Sequence, residues 1–325
     1  MPQVTIHVPP RPYQAWIENG LLMRAGSVLS ELLPQASRIF VVTVPPVRKR
    51  WGSKIVTSLK SSGFSPQVIV MPDGEPTKRL STVEALADKL ARLGADRKAV
   101  VIALGGGVVG DVSGLLASLY MRGIELVQIP TTVLAQVDAS IGGKTGVNLV
   151  AGKNMIGTFH HPRVVLIDPT VSKTLPDREF RAGLYEALKC GIIGNVELFL
   201  RFEQNRARIL KRDPVELEWL IAQSVRLKAE VVSADEREGG LRPIRAREVL
   251  GLPGLQGALT QAAGLQPEQP HRAGAAWRHS GLAAALAQRL VQEGNRGLLP
   301  VGCRERSELP GLIRHVDTPR LLRCH

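Results

Sequence analysis

At 325 residues, with 44% hydrophobic and 22% charged residues, the chain has room for two ordinary domains and the composition of a globular protein, which excludes a fibrous or disordered class. A net charge of +13 could serve nucleic acid or an anionic small molecule, but aromatics are only 4% and no basic run stands out, so nucleic acid is the poorer reading. The N-terminus lacks a signal-peptide pattern, and no apolar stretch approaches the roughly 18–20 residues of a membrane span. Three scattered cysteines (Cys190, Cys303, Cys324) show no CxxC spacing, so the expectation is a cytoplasmic protein that binds neither membrane nor nucleic acid.

Short β-branched runs predict strands over Ile39–Thr43, 67–71, 99–104, 126–129 and Val164–Ile167. Between them lie helix-like stretches such as 81–93, with Val83, Leu86, Leu90 and Leu93 on one face. This alternation reads as an α/β layer with a largely parallel sheet. After about Pro176 the strand signal stops and two helices are predicted, over 181–202 and 215–238. The second follows Asp213-Pro214 and carries a buried stripe of Leu217, Ile221, Val225 and Val232. The expected organisation is an α/β domain over 1–170, the start of a helical domain over 171–242, and an atypical tail over 243–325.

That tail differs in kind. Its 83 residues contain 11 Arg and no Lys, whereas residues 1–242 contain 12 Lys; its one aromatic is Trp277. It is rich in Ala, Gly and Pro, and prolines at 253, 267, 270, 300 and 310 interrupt any long helix. A bland low-aromatic extension is one reading. Translation of a GC-rich gene in another frame is the sharper one.

Chemistry concentrates in the middle of the chain. The predicted strand ending at Leu104 runs into Gly105-Gly-Gly-Val-Val-Gly-Asp111, where Gly105, Gly107 and Gly110 fit G-x-G-x-x-G. A glycine turn at a helix N-terminus is a ready anion site, because unpaired N–H groups converge where no Cβ blocks approach. Taken alone the match is weak, since at least two strands precede it; a turn that merely packs helix on sheet is equally economical. Further along come Asp138, Lys144, Asn148, Lys153 and Asn154 among glycines, a set suited to a small polyhydroxylated anion beside a nucleotide. Glu186 and Lys189 share a helix face at i,i+3, most simply a solvated ion pair, although their apolar neighbours argue against a plainly wet face. Lys228 is a lone lysine on an apolar stripe.

In these motifs the chain resembles 3-dehydroquinate synthase. The resemblance covers about residues 11–242 and rests on Asp73-Gly-Glu-x-x-Lys78, Gly105–Asp111, Tyr120-Met-Arg-Gly123, Pro130-Thr-Thr132, Asp138–Asn148, Gly152-Lys-Asn154, Tyr185-Glu-Ala-Leu-Lys189 and Lys228-Ala-Glu-Val-Val-x-x-Asp-Glu236. It implies a Rossmann-like α/β nucleotide-binding domain followed by an all-α domain. It also implies NAD- and zinc- or cobalt-dependent cyclisation of 3-deoxy-D-arabino-heptulosonate 7-phosphate, with phosphate lost, in the shikimate pathway. On this resemblance Asp73, Glu75, Lys78, Gly105, Gly106, Gly107, Val108, Asp111, Thr131 and Thr132 hold NAD, joined by Asp138, Lys144 and Lys153, which also face the substrate. Lys144, Asn154 and Arg122 from the other subunit of a homodimer hold the phosphate. Lys228 and Arg242 bind the carboxylate, Asp138 and Lys189 the hydroxyls, and Lys153 lies at the cofactor–substrate junction. Glu186 is a metal ligand.

The pattern departs from the family in two places. After Arg242 the family's metal histidines fall on Val249 and about Leu265, neither of which can ligate. Thr43-Val-Pro-Pro46 stands where the family has Asp and Asn near the adenosine. Another sugar-phosphate cyclase and a non-catalytic NAD-binding remnant are the alternatives. Metal-dependent alcohol dehydrogenases would lack the Lys144 and Lys153-Asn154 set.

Overall fold

The computed structural model describes residues 2–236, so Arg242, Val249, Leu265 and the tail over 243–325 lie outside the described residues. Nine strands are described: β1 (Gln3–Ile6), β2 (Tyr13–Ile17), β3 (Ile39–Thr43), β4 (Pro66–Val70), β5 (Val100–Gly105), β6 (Glu125–Pro130), β7 (Lys144–Val147), β8 (Ile156–Phe159) and β9 (Val164–Ile167). The helices are α1 (Ala25–Leu32), α2 (Pro45–Val47), α3 (Ser53–Ser61), α4 (Leu80–Arg92), α5 (Gly107–Leu119), α6 (Asp177–Gly194), α7 (Val196–Gln204), α8 (Arg206–Leu210) and α9 (Pro214–Ala234). An α/β layer followed by helices bears out the expected fold class.

Seven strands form one sheet in the order β1-β2-β9-β6-β5-β3-β4, parallel except for the β1–β2 pair, while β7 and β8 form a separate antiparallel hairpin. The central strands β3 and β5 are buried at every position, as a parallel sheet covered on both faces requires. One face (Ile39, Val41, Val100, Ile102, Leu104) packs on α1 and α3; the other (Phe40, Val42, Val101, Ala103) packs on α4 and α5. A third cluster joins β1, β2 and β9 to α6, α7 and α9. After β3 the chain adds β4 on one side, then crosses to β5 on the other, which makes the carboxyl ends of β3 and β5 a topological switch point, where α/β sheets bind ligands.

Several expectations are corrected. The single helix over 181–202 is two, because Asn195 leaves helical geometry and caps α7, its Oδ1 accepting from Leu198 N at 2.9 Å. The helix over 215–238 ends at Ala234. Its start is as expected: Asp213 caps Val215 N and Glu216 N, and Leu217, Ile221, Val225 and Val232 are all buried. Strands β1, β2, β7 and β8 were not foreseen.

Helix α6, which carries Glu186 and Lys189, approaches the segment after β6 so closely that a Cβ on Gly183 would lie 2.5 Å from Leu134 N and Val133 Cβ. Neither neighbour is a flexible side-chain end, so the helix itself must move to admit a methyl. Gly183→Ala is expected to destabilise the fold by about 1–3 kcal/mol, measured by urea denaturation. An unchanged midpoint would show that α6 is not held at this point.

Candidate active site

The glycine turn lies at the switch point. Thr43 at the end of β3 is in register with Leu104, immediately before the turn, and α5 starts at Gly107 with no side-chain cap. The three motif glycines have different tasks. A Cβ at Gly105 would lie 2.5 Å from Val109 Cγ2, and one at Gly110 would lie 3.0 Å from Gln128 Oε1, so both serve close packing of α5 on the sheet. At Gly107 the one described atom that a Cβ would meet is Ala139 Cβ, at an ordinary 3.6 Å, so among the described residues the space at Gly107 is open.

Beside this turn the buried Lys78 places its ammonium 2.5 Å from Asp111 Oδ2 and 2.5 Å from Asn154 Oδ1. Asp73 Oδ1 accepts from Gly74 N, and the 3₁₀ turn Glu75–Thr77 that follows delivers both Glu75 and Lys78. Burial pushes the Asp111 carboxyl up to about 6; Lys78 opposes this, and Glu75 and Asp138 reinforce it. A carboxyl raised from 3.8 to about 6 binds its proton more tightly folded than unfolded. Its ionisation therefore opposes folding above that range, and its contribution becomes more favourable as pH falls from about 6 towards 3.8.

Asp138 leads into a second group. Its Oδ1 lies 2.6 Å from Lys228 Nζ on α9, and Lys189 Nζ lies 2.8 Å from Glu186 Oε1 on α6. The Cys190 thiol is pushed up to about 11 by burial, then by the charges of Glu186 and Asp138, with Lys189 and Lys228 opposing, so it stays a thiol at neutral pH.

The remaining expected residues are spread more widely. Thr131 and Thr132 follow β6, with Thr131 N bonded to Gly105 O at 2.9 Å, which seats them against the glycine turn. Gly106 and Val108 flank Gly107 in that turn. Exposed Lys153 adjoins Asn154 in the β7–β8 loop. Lys144 opens β7, about 13 Å of strand away from Asn148, so Lys144 and Asn154 occupy opposite ends of the hairpin. Arg122 lies beyond the far end of α5, roughly 20 Å along the helix from Gly107. Sequence reading put Asn148 in the polar set suited to an anion beside a nucleotide, without a specific partner, and assigned no role to His161, whose Nε2 lies 2.7 Å from Glu236 Oε1 while its ring stacks on Tyr13.

Among the described residues no group of three His, Cys, Asp or Glu converges, and the one expected metal ligand there, Glu186, is engaged by Lys189. None of the described helices is long and apolar enough to cross a membrane.

Fold and site together define an α/β protein with an open glycine turn at its switch point beside paired acids and bases. Residues 68–182 match the family description "3-dehydroquinate synthase N-terminal" and residues 183–245 match "3-dehydroquinate synthase C-terminal". Over 244 residues the chain is 53% identical to the 3-dehydroquinate synthase of Koribacter versatilis and 50% identical to that of Solibacter usitatus, covering 75% of this chain and 67% of each relative. The chain belongs to the 3-dehydroquinate synthase family. It spans about two thirds of the length of these relatives. Among solved structures it resembles 2-deoxy-scyllo-inosose synthase complexed with carbaglucose-6-phosphate, NAD+ and Co2+ (TM-score 0.67, 26% identity, 84% of this chain and 74% of that one). It also resembles 2-epi-5-epi-valiolone synthase from Streptomyces hygroscopicus with NAD+ and Zn2+ bound (TM-score 0.67, 29% identity, 88% of each chain).

The position of Asp111 between Lys78 and two carboxylates has a measurable consequence. Both contributions of Lys78, charge and hydrogen bond, hold the Asp111 carboxyl down. Lys78→Met should move its midpoint upward from about 6, read by carboxyl ¹³C NMR titration. A midpoint that fell or stayed would mean the two groups are not paired in solution.

Proposed function

We propose that this chain performs the cofactor- and substrate-binding tasks of 3-dehydroquinate synthesis. The family's reaction is the conversion of 3-deoxy-D-arabino-heptulosonate 7-phosphate to 3-dehydroquinate and phosphate, in aromatic amino acid biosynthesis. The observation that carries the reading is the open N-terminus of α5 at Gly107, adjoining a run of alternating acids and bases. The N–H groups of Gly106, Gly107 and Val108 would hold the pyrophosphate of NAD, because the helix dipole and the missing Cβ there favour an anion. Thr131 and Thr132 close one side; Asp73, Glu75, Lys78 and Asp111 hold the nicotinamide half. Held by these residues, NAD would supply reversible hydride transfer for the substrate's C5 alcohol.

The protein's own groups do the rest. Lys228 and Lys189 are held in place by Asp138 and Glu186, at 2.6 and 2.8 Å. A substrate carboxylate and hydroxyls can take over these partners, so binding exchanges one set of charge-assisted bonds for another rather than stranding a charge. Arg242 joins Lys228 on the carboxylate. Lys144 and Asn154 supply the phosphate side, completed by Arg122 of a second copy in a homodimer, and Lys153 lies at the cofactor–substrate junction. Two consecutive residues with positive φ, Met121 (48°) and Arg122 (71°), form a strained turn beside exposed Leu119 and Met121, which supports a role outside the chain's own site. The scattered cysteines support a cytoplasmic location.

Gly107→Val tests the cofactor assignment cleanly, because the fold leaves room at that position. NAD affinity by calorimetry should fall at least tenfold while the thermal midpoint stays within a few degrees. Equal affinity would place the cofactor elsewhere.

The fall of the family's metal histidines on Val249 and about Leu265 supports a different frame downstream of codon 242. The family match stops at residue 245, close to where Lys and all but one aromatic vanish. The chain as written should retain little zinc by elemental analysis and turn over at least about a thousandfold more slowly than a version carrying a family tail. Within the restored protein, Glu186→Ala should abolish metal-dependent turnover, while Lys189→Ala should lower turnover with metal still bound. Efficient phosphate release by the unaltered chain in chelator would overturn this reading.

A further inference from the structure

Asn148 immediately follows β7 and is 8% exposed, yet every polar group of its side chain is committed. Nδ2 donates to Glu75 Oε1 at 2.8 Å, and Oδ1 accepts from the backbone N–H of Asn154 at 2.9 Å. Its own N–H donates to Lys78 O at 2.8 Å. Asn154 has a positive φ of 55°, costly for a residue with a Cβ, and its side chain in turn accepts from Lys78. The bonds therefore close a ring: Glu75 to Asn148, Asn148 to Asn154, Asn154 to Lys78, and Lys78 N back to Glu75 O at 3.1 Å. One side of this ring is the turn assigned to NAD; the other is the loop that carries Lys153 and Asn154 towards the substrate.

We propose that Asn148 is a positioning residue that couples the Glu75–Lys78 turn to the Lys153–Asn154 loop, so that each site is ordered when the other is. The inference rests on the cofactor reading above only for what the two segments bind. The chemistry at this position needs a donor and an acceptor on one short planar group. Aspartate keeps the acceptor for Asn154 N–H but sets a carboxylate against Glu75. Serine reaches one partner and not both; glutamine is one methylene too long. A residue that served only to cap the hairpin loop would need the Asn154 bond alone, and aspartate would satisfy it.

That difference makes the test. In the full 325-residue chain, amide hydrogen exchange is followed over residues 75–79 and 149–155, with NAD binding measured by calorimetry. Asn148→Asp is expected to speed exchange in both segments and weaken NAD at least tenfold near neutral pH. Asn148→Asp combined with Glu75→Gln, whose amide donates to the new carboxylate, should return exchange in both segments towards the original rate. Faster exchange confined to 149–155, or no recovery in the double variant, overturns the proposal whatever happens to NAD. Coupled exchange with no NAD binding by the unaltered chain would uphold the coupling and instead refute the cofactor assignment.

Discussion

Lys78 is the constraint around which the site is arranged. Its ammonium is buried, and a buried charge costs several kcal/mol unless it is paired and hydrogen-bonded. Its partners come from two other segments, Asp111 on α5 and Asn154 in the β7–β8 loop. Three stretches that are distant in sequence therefore cannot separate without stranding a charge. Removing either partner is worse than removing none, which is why the ion pair here orders a site rather than adding much net stability. The raised Asp111 carboxyl is a symptom of the same enclosure: burial outweighs even an ammonium at contact distance.

Topology supplies the place and side-chain size supplies the opening. The connections leaving β3 and β5 run to opposite sides of the switch, and α5 begins there. Gly105 and Gly110 let the helix sit down on the strands, after which Gly107 remains as the gap. Two glycines are spent on packing and one on access, although the motif writes all three with the same letter.

The sheet's centre was legible because β5 and β9 are apolar throughout, β3 is apolar up to its final Thr43, and β6 is broken only by Gln128 between its first and last residues, a pattern few loops imitate. Strands β1, β2, β7 and β8 escaped because each mixes polar residues or glycine into four or five positions and depends on a partner strand for its existence. The break at Asn195 escaped because apolar periodicity continues across it, whereas a single side-chain cap decides it. Site residues were legible as types in motifs. Their pairings were not: Lys78 with Asp111, and Asp138 with Lys228, join residues 33 and 90 positions apart, and no local pattern encodes that choice.

The same pairings bear on how the described residues stand without a family tail. Each lysine at the centre of the site already has a carboxylate, and Glu186, the one expected metal ligand present, has Lys189. A lone carboxylate facing an absent cation would carry a desolvation cost with nothing to offset it; one engaged by an i,i+3 lysine on its own helix carries much less. Folding of this portion and assembly of a metal site are thus separable demands on the sequence. A change beyond residue 242 can remove the second while leaving intact the interactions that satisfy the first.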